Sequence, residues 1–167
     1  LQDFVETWVA AEFPRKTELP GTFFVDCRSL REPDCSDGKH VGMASELQRG
    51  YMEQQPVTPT VVESVRAADA GLTAQATQPP YKKAHMVVVF YCHAGEHRSV
   101  AMAEVFSHVR LNRRGWKGEV IHVCADVWRR KFCQGCRSCH ERREGSWIVE
   151  ELMDTMLGER PSAASSG

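Results

Sequence analysis

The chain has 167 residues, a length that allows one compact domain with a sizeable core but not two large ones. Its formal net charge is −1, with 21 Lys and Arg against 22 Asp and Glu, so its overall charge does not attract nucleic acid or an anionic membrane. No segment approaches the roughly 20 consecutive apolar residues that cross a bilayer, so we expect no membrane partner.

The cysteines indicate the redox environment of the protein. There are seven, an odd number, and three of them are packed into residues 133–139. This pattern is more typical of thiolate chemistry than of a disulfide framework. We therefore expect a reducing, cytoplasmic compartment.

The start of the chain predicts one helix and one strand. Residues 2–12 carry apolar side chains at near-helical spacing, and Pro14 ends that pattern. The apolar run 22–25 predicts a buried strand that closes on Asp26-Cys27-Arg28. Polar residues at the carboxyl end of such a strand are often functional.

The middle of the chain predicts two more helices and a second strand. After a loop rich in turn residues, a helix is expected over 43–53. Thr58 and Pro59 resemble an N-cap and a first helical position, so the next helix is predicted over 59–75. Residues 85–91 are apolar on both faces, as a central parallel strand requires, and are expected in the middle of the sheet.

The remaining elements complete an alternation of strands and helices. A helix is predicted over 97–112, a third strand over 119–124 and a last amphipathic helix over 147–157. This order predicts an α/β fold with a mainly parallel sheet sandwiched by helices. We expect residues 1–160 to form this single domain and residues 161–167 to be a disordered tail.

The Cys92–Ser99 loop, between a predicted strand and a predicted helix, is the most informative motif. Successive backbone N–H groups and the start of the helix favour an anion here, and Arg98 can grip two phosphate oxygens. The same field should make Cys92 a thiolate able to attack phosphorus, with Gly95 permitting the bend. A lone cysteine at a strand end is, alternatively, only a small buried apolar residue. The predicted phosphate-binding residues are Cys92, His93, Ala94, Gly95, Glu96, His97, Arg98 and Ser99.

The loop resembles the signature of the dual-specificity protein phosphatases, Cys-x-Ala-Gly-x-x-Arg-Ser. That resemblance implies dephosphorylation through a cysteinyl-phosphate. The catalytic residues would then be the nucleophile Cys92, the phosphate ligand Arg98 and an acid, Asp126 or Asp26, that protonates the leaving oxygen.

A closer similarity is to the RapZ C-terminal domain family, whose loop reads Cys-x-Gly-Gly-x-His-Arg-Ser-Val. Ala94 replaces its first glycine, and Asp26-Cys27-Arg28 repeats an earlier Asp-x-Arg of that family. The resemblance covers about residues 20–127 and implies an α/β domain that senses a phosphorylated metabolite, glucosamine-6-phosphate in the bacterial regulator, and engages RNA-linked partners. The ATPase half has no counterpart, because no G-x-x-x-x-G-K-[S/T] loop occurs, so ATP binding is not expected. The matching positions are Cys92, Gly95, His97, Arg98, Ser99, Val100, Ala103 and Glu104.

The resemblance also suggests a role for Asp26 and Arg28. The carboxylate would hold a hydroxyl group of the ligand, and the guanidinium would add to the phosphate site. The alternative is a structural ion pair at the end of the strand.

The cysteine-rich segment, residues 128–146, predicts a small metal-binding lobe. Two thiolates spaced as Cys-x2-Cys can bind one ion, so a structural zinc is the leading hypothesis. A c-type haem attachment at 136–140, an iron–sulfur cluster and free thiols on one helix face are the alternatives. The candidate ligands are Cys133, Cys136, Cys139, His140 and Cys124, with His122 as a further candidate.

The same segment is locally basic and is bordered by Trp128 and Trp147. A zinc-supported basic lobe would contact RNA phosphates or a protein partner, whereas the interleaved Glu141 and Glu144 are typical of a solvated helix face. The basic residues are Arg129, Arg130, Lys131, Arg137, Arg142 and Arg143.

These patterns predict a domain that binds a phosphate ester, either a phosphosugar or a nucleotide-like metabolite. The first alternative is a cysteine-dependent phosphatase that acts through Cys92. The second is a zinc-stabilised module that interacts with RNA.

Overall fold

A computed structural model describes the part of the chain that contains the two strands and the Cys92–Ser99 loop. The described residues are 7, 21–34, 40–53, 59–76, 86–111, 119–126 and 153–155. Thr7 and residues 153–155 are helical, but the rest of the helices predicted over 2–12 and 147–157 lies outside this set. So do the cysteine-rich segment and the predicted tail at 161–167.

Mixed α/β architecture is confirmed in the described residues. Both strands and all three helices predicted between residues 21 and 111 are present, with bounds close to those expected. The last helix changes to a π-helical turn at its end instead of continuing as α-helix. In chain order the elements are β1 (Gly21–Asp26), α1 (Ser45–Glu53), α2 (Pro59–Ala76), β2 (Met86–Tyr91), α3 (Arg98–Phe106) and the π-helical turn Ser107–Leu111.

The two strands pair in parallel, in a register that runs from Gly21 opposite Met86 to Asp26 opposite Tyr91. Their β-branched and aromatic residues favour this extended pairing. Within the described residues the sheet has these two strands, and every residue of β2 is only partly buried. The sequence predicted β2 in the middle of a wider sheet, whereas in the described residues β2 pairs with β1 alone.

The third predicted strand is not formed. Residues 119–122 are irregular, and Val123 and Cys124 are in a turn that the Ala125 N–H closes on the His122 carbonyl at 3.0 Å. Exposure still alternates along the segment, with Ile121 43% and Val123 53% exposed. Alternating exposure is typical of an extended chain. A strand also needs a neighbouring backbone with which to form hydrogen bonds, and the spacing of residues in the sequence does not show whether one is present.

The helices α2 and α3 pack on one face of the sheet. Phe23 of β1 lies against Gly71 of α2, and the rings of Phe90 and Phe106 are 5.5 Å apart between β2 and α3. Because Phe23 pairs with Val88, two residues before Phe90, the two phenylalanines share a face. In the described residues these helices thus form a single layer, whereas the sequence predicted helices on both sides.

The core lies between these helices and that face of the sheet. α1 packs against α3 and buries Leu47, Tyr51 and Met52. Tyr51 and Met52 follow Leu47 by four and five residues, a spacing that places the three on one side of the helix. Within the described ranges no helix combines the length and apolar character needed to cross a bilayer. The buried apolar cluster comprises Val25, Cys27, Leu30, Val41, Ala44, Leu47, Tyr51, Met52, Val61, Val65, Ala68, Ala101, Met102, Val105, Phe106, Val109 and Met153.

Candidate functional site

The two sequence motifs meet at one edge of the sheet. β1 ends at Asp26 opposite Tyr91, and the Cys27 N–H donates to the Tyr91 carbonyl at 2.8 Å, which extends the ladder by one residue. Since the strands are parallel, the chain leaves both of them at the same edge. The segment Asp26–Arg28 and the Cys92–Ser99 loop are therefore neighbours.

The thiol of Cys92 is surrounded by hydrogen-bond donors. The Gly95 N–H donates to Sγ at 3.3 Å, and the Ser99 hydroxyl oxygen lies 3.2 Å from the same sulfur. Burial raises the pKa of Cys92, but hydrogen bonds from Ser99 and from the Gly95 and Ala94 N–H groups outweigh it, so the pKa is lowered overall. This arrangement favours a thiolate.

The bend of the loop depends on Gly95, which has a φ of 68°. Only glycine adopts this left-handed conformation without steric cost. A Cβ added here would lie 2.9 Å from the Cys124 sulfur, so the Cys124 side chain packs against the loop. The turn after the irregular segment thus brings a third cysteine-containing stretch to the site.

The outer and inner ends of the loop differ in exposure. His93 and Ala94 are exposed at its tip, whereas Ser99 is buried at the start of α3. The Gly42 N–H donates to the Glu96 carbonyl at 2.9 Å and so joins the preceding loop to the Cys92–Ser99 loop. These contacts hold the base of the loop and leave its tip accessible.

Arg98 is bound largely by the protein itself. Its Nη1 donates to the carbonyls of Arg28 at 2.7 Å and Leu30 at 3.2 Å, and its Nε lies 3.1 Å from Glu32 Oε1. The side chain is 20% exposed. Two of its three nitrogens, Nη1 and Nε, are engaged in this way. Arg98 could bind a phosphate through both of them only if it released these carbonyl and carboxylate partners.

Glu32 is a member of the site that the sequence did not identify. Its carboxylate contacts Arg98, accepts a hydrogen bond from the Tyr51 hydroxyl and lies 3.6 Å from His97 Nδ1. It follows β1 by six residues and belongs to no recognisable spacing pattern. Only the folded chain brings it to the loop.

Asp26 and Arg28 form a bidentate ion pair with each other. Arg28 Nε lies 2.9 Å from Asp26 Oδ1, and its Nη2 lies 2.6 Å from Oδ2. The hydrogen bond from the Arg28 side chain lowers the pKa of Asp26 to about 2. The Arg28 guanidinium also lies 5.4 Å from the centre of the Tyr91 ring and is half exposed. The ion pair that the sequence offered as the alternative role for Asp26 and Arg28 is thus present, on the rim of the site.

A histidine and a carboxylate form a second contact between charged or polar side chains, between α3 and the segment 119–124. His122 Nε2 lies 2.7 Å from Glu104 Oε1, and both side chains are largely buried, at 12% and 10% exposure. This contact joins α3 to the segment that carries Cys124. Asp126, the candidate acid, is exposed just after that turn.

The predicted zinc site falls mainly outside the described residues. Of its candidate ligands only Cys124 and His122 are described, and they contact Gly95 and Glu104 as stated above. Among the described residues no group of three or more His, Cys, Asp or Glu side chains is placed to hold a metal. Zinc binding stays a prediction. The ligands outside the described residues are Cys133, Cys136, Cys139 and His140.

A polar cleft of about 550 Å³ adjoins Glu32. It lies between the loop that follows β1 and the exposed face of α1. Charged side chains of both signs line it, so it suits a polar group better than an apolar one. The lining residues are Arg31, Glu32, Pro33, Asp34, Glu46, Arg49, Gly50 and Glu53.

Comparison with known proteins places these features in a family. No curated protein and no solved structure matches the chain. The model of the RapZ C-terminal domain matches residues 11–126, a span that includes both strands, the Cys92–Ser99 loop, α3 and Cys124. The match covers more than half of the chain, and the chain therefore belongs to the RapZ C-terminal domain family.

Proposed function

We propose that this domain binds a phosphate ester, a phosphosugar or a nucleotide-like metabolite, at the Cys92–Ser99 loop. The observation that carries the proposal is the convergence of the Gly95 N–H and the Ser99 hydroxyl on the Cys92 sulfur, where β2 passes into α3. An anion seated above that sulfur would meet the backbone N–H groups of the loop and the positive end of α3.

Two guanidinium groups near the loop add possible contacts for an anionic ligand. Arg98 lies beside the loop and the Arg28 guanidinium, 51% exposed, lies at the rim. Each is paired with a carboxylate, Glu32 and Asp26 respectively, so an anion would share or displace that partner. His97 occupies the position just before α3, where an imidazole can donate to a phosphate or a hydroxyl group. Membership of the RapZ C-terminal domain family agrees with this proposal.

A cysteine-dependent phosphatase is the second candidate, and the lowered pKa of Cys92 favours it. The thiolate would attack phosphorus, the bond from phosphorus to the leaving oxygen would break, and an acid would protonate that oxygen. Asp26 is poorly suited to this step, because its pairing with Arg28 lowers its pKa to about 2 and stabilises the ionised carboxylate. Asp126, which is exposed, is the other candidate for the acid.

Binding can be tested by following backbone amide resonances of the Cys92–Ser99 loop by NMR. We expect inorganic phosphate, glucosamine-6-phosphate or a nucleoside monophosphate to shift the Gly95 and Ser99 resonances saturably, since their N–H groups face the sulfur. Chloride at equal ionic strength is the control. Equal shifts with chloride, or shifts confined to residues away from the loop, would contradict the proposal.

Turnover separates the two candidates. The wild type and Cys92→Ser are incubated with p-nitrophenyl phosphate and with the esters that bind. Turnover that the substitution abolishes while binding persists supports the phosphatase. Absence of turnover with saturable binding leaves the binding function and excludes phosphatase activity toward these esters.

A further inference from the structure

Three side chains from two parts of the chain lie around the carboxylate of Glu32. Arg98 Nε lies 3.1 Å from Oε1, His97 Nδ1 lies 3.6 Å from Oε2, and the Tyr51 hydroxyl donates to Oε2. Two of these residues, His97 and Arg98, belong to the Cys92–Ser99 loop, and the third, Tyr51, is on α1. Glu32 thus joins the predicted phosphate-binding residues to the helical layer.

The surroundings of Glu32 restrict its movement. Leu30 and Pro33, on either side of it in the chain, are buried, and Tyr51 is only 1% exposed. Burial raises the pKa of Tyr51, and the hydrogen bond to Glu32 adds to that effect, so the hydroxyl stays a neutral donor. A carboxylate fixed in this way can act as a rigid acceptor for the loop.

The guanidinium of Arg98 is held from two sides. The carbonyls of Arg28 and Leu30 bind Nη1, and the Glu32 carboxylate binds Nε. A planar group bound at two of its nitrogens has one orientation, and a pre-oriented donor loses less conformational entropy when a ligand binds. The Glu32 carboxylate is 39% exposed, so its own negative charge is partly screened by solvent.

From these contacts we infer that Glu32 is a positioning residue, which orients Arg98 and His97 for the anion that the Cys92–Ser99 loop binds. This inference rests on the proposed function. A carboxylate next to Arg98 would have the opposite effect if it competed with the phosphate for the guanidinium. The two roles predict opposite effects when Glu32 is truncated, and this difference makes the inference testable.

The first measurement needs no ligand. Arginine Nε–H signals in a proton–nitrogen NMR spectrum stay visible when a carboxylate protects them from exchange with water. We expect the Arg98 signal, assigned by its loss in Arg98→Lys, to persist in Glu32→Gln and to vanish in Glu32→Ala. The Arg28 Nε–H, which lies 2.9 Å from Asp26 Oδ1, is the internal control. It should remain in all three variants and so show that each of them is folded. An unchanged Arg98 signal in Glu32→Ala would overturn the inference.

The second measurement is the affinity for inorganic phosphate. We expect Glu32→Ala to bind phosphate about tenfold more weakly, because Arg98 and His97 lose their orientation. Glu32→Gln retains an oxygen that accepts from Arg98 and removes the repelling charge, so it should bind at least as tightly as the wild type. Tyr51→Phe, which keeps the buried ring and loses only the hydroxyl, should weaken binding by a smaller factor.

Glu53→Gln is the matched control, because Glu53 lines the same cleft but lies 3.6 Å from Arg49 in an ion pair within α1. It should leave phosphate affinity within about twofold of the wild type. Tighter binding by Glu32→Ala, or equal weakening by Glu32→Ala and Glu53→Gln, would overturn the positioning role. If the wild type binds no phosphate, the proposed function fails, and the Arg98 signal still decides whether Glu32 holds the guanidinium.

Discussion

Cys27 and Cys92, which directly follow β1 and β2, show how strongly local surroundings decide the chemistry of one residue type. Cys27 is fully buried, and burial raises the pKa of its thiol, with the nearby Cys92 adding to the effect. Cys92 is also partly buried, but the donors of the loop reverse the direction of its shift. A buried thiol without such donors stays protonated and unreactive.

This contrast predicts a change in thiol reactivity when the Ser99 hydroxyl is removed. In Ser99→Ala the pKa of Cys92 should rise, because the largest stabilising contact of the thiolate is lost, so the pH profile of its alkylation by iodoacetamide moves to higher pH. At neutral pH we expect Cys92 to react roughly threefold to tenfold more slowly than in the wild type.

Mass spectrometry of the peptide that contains Cys92 measures the rate at each pH. Cys27, fully buried, serves as the control for intact packing and should stay unreactive in both proteins. An alkylation profile that is identical in the wild type and in Ser99→Ala would show that the hydroxyl does not stabilise the thiolate.

At the scale of elements, the site depends on backbone approaching backbone. The loop before α1 touches the start of α3 through Gly42, whose N–H binds the Glu96 carbonyl. A Cβ on Gly42 would lie 2.1 Å from the His97 carbonyl oxygen and 2.5 Å from the Ala101 nitrogen. Neither atom can turn away as the end of a side chain can, so the two segments would have to separate.

Gly42→Ala should therefore lower the free energy of unfolding by about 1–3 kcal/mol, the usual range for forcing atoms into a packed interior. Gly50→Ala is the matched control, because Gly50 lies inside α1, where alanine is favoured by about 0.5–1 kcal/mol. Urea unfolding of both variants measures the two effects. Equal stability of the two variants would contradict the contact at Gly42.

At the scale of the whole molecule, the family match ends at residue 126, just before the cysteine-rich segment. The 167-residue chain thus carries a further stretch with three closely spaced cysteines beyond the matched domain. Closely spaced thiolates contribute folding free energy when they bind zinc, because the unfolded chain lacks the assembled site.

We expect purified protein to contain about one zinc ion per chain and Cys136→Ser to lose it. Elemental analysis of protein purified without chelators measures the ratio. Cys27→Ser is the control, since Cys27 is buried in the core and its Sγ lies 3.7 Å from the Val25 carbonyl. A metal-free wild type, or full retention of zinc by Cys136→Ser, would contradict the zinc hypothesis.

The sequence by itself determined the local elements and the loop. Apolar runs and helical spacing predict β1, β2 and the three helices, because these patterns reflect which side chains each element can bury. The Cys-x5-Arg-Ser spacing and the earlier Asp-x-Arg indicate the family. Both can be recognised in the sequence because each motif is short and local.

Only the tertiary structure decided which groups surround those motifs. Glu32, Tyr51 and Gly42 reach the site from distant positions in the chain. Among the described residues no strand pairs with residues 119–122, and the chain turns at Val123 and Cys124. Residue spacing reports a preference for conformation and burial, whereas hydrogen-bond partners are chosen when the chain folds and unrelated segments meet. For that reason the sequence predicted Arg98 as a free fork for phosphate, and the folded protein has it bound to Glu32 and to two backbone carbonyls.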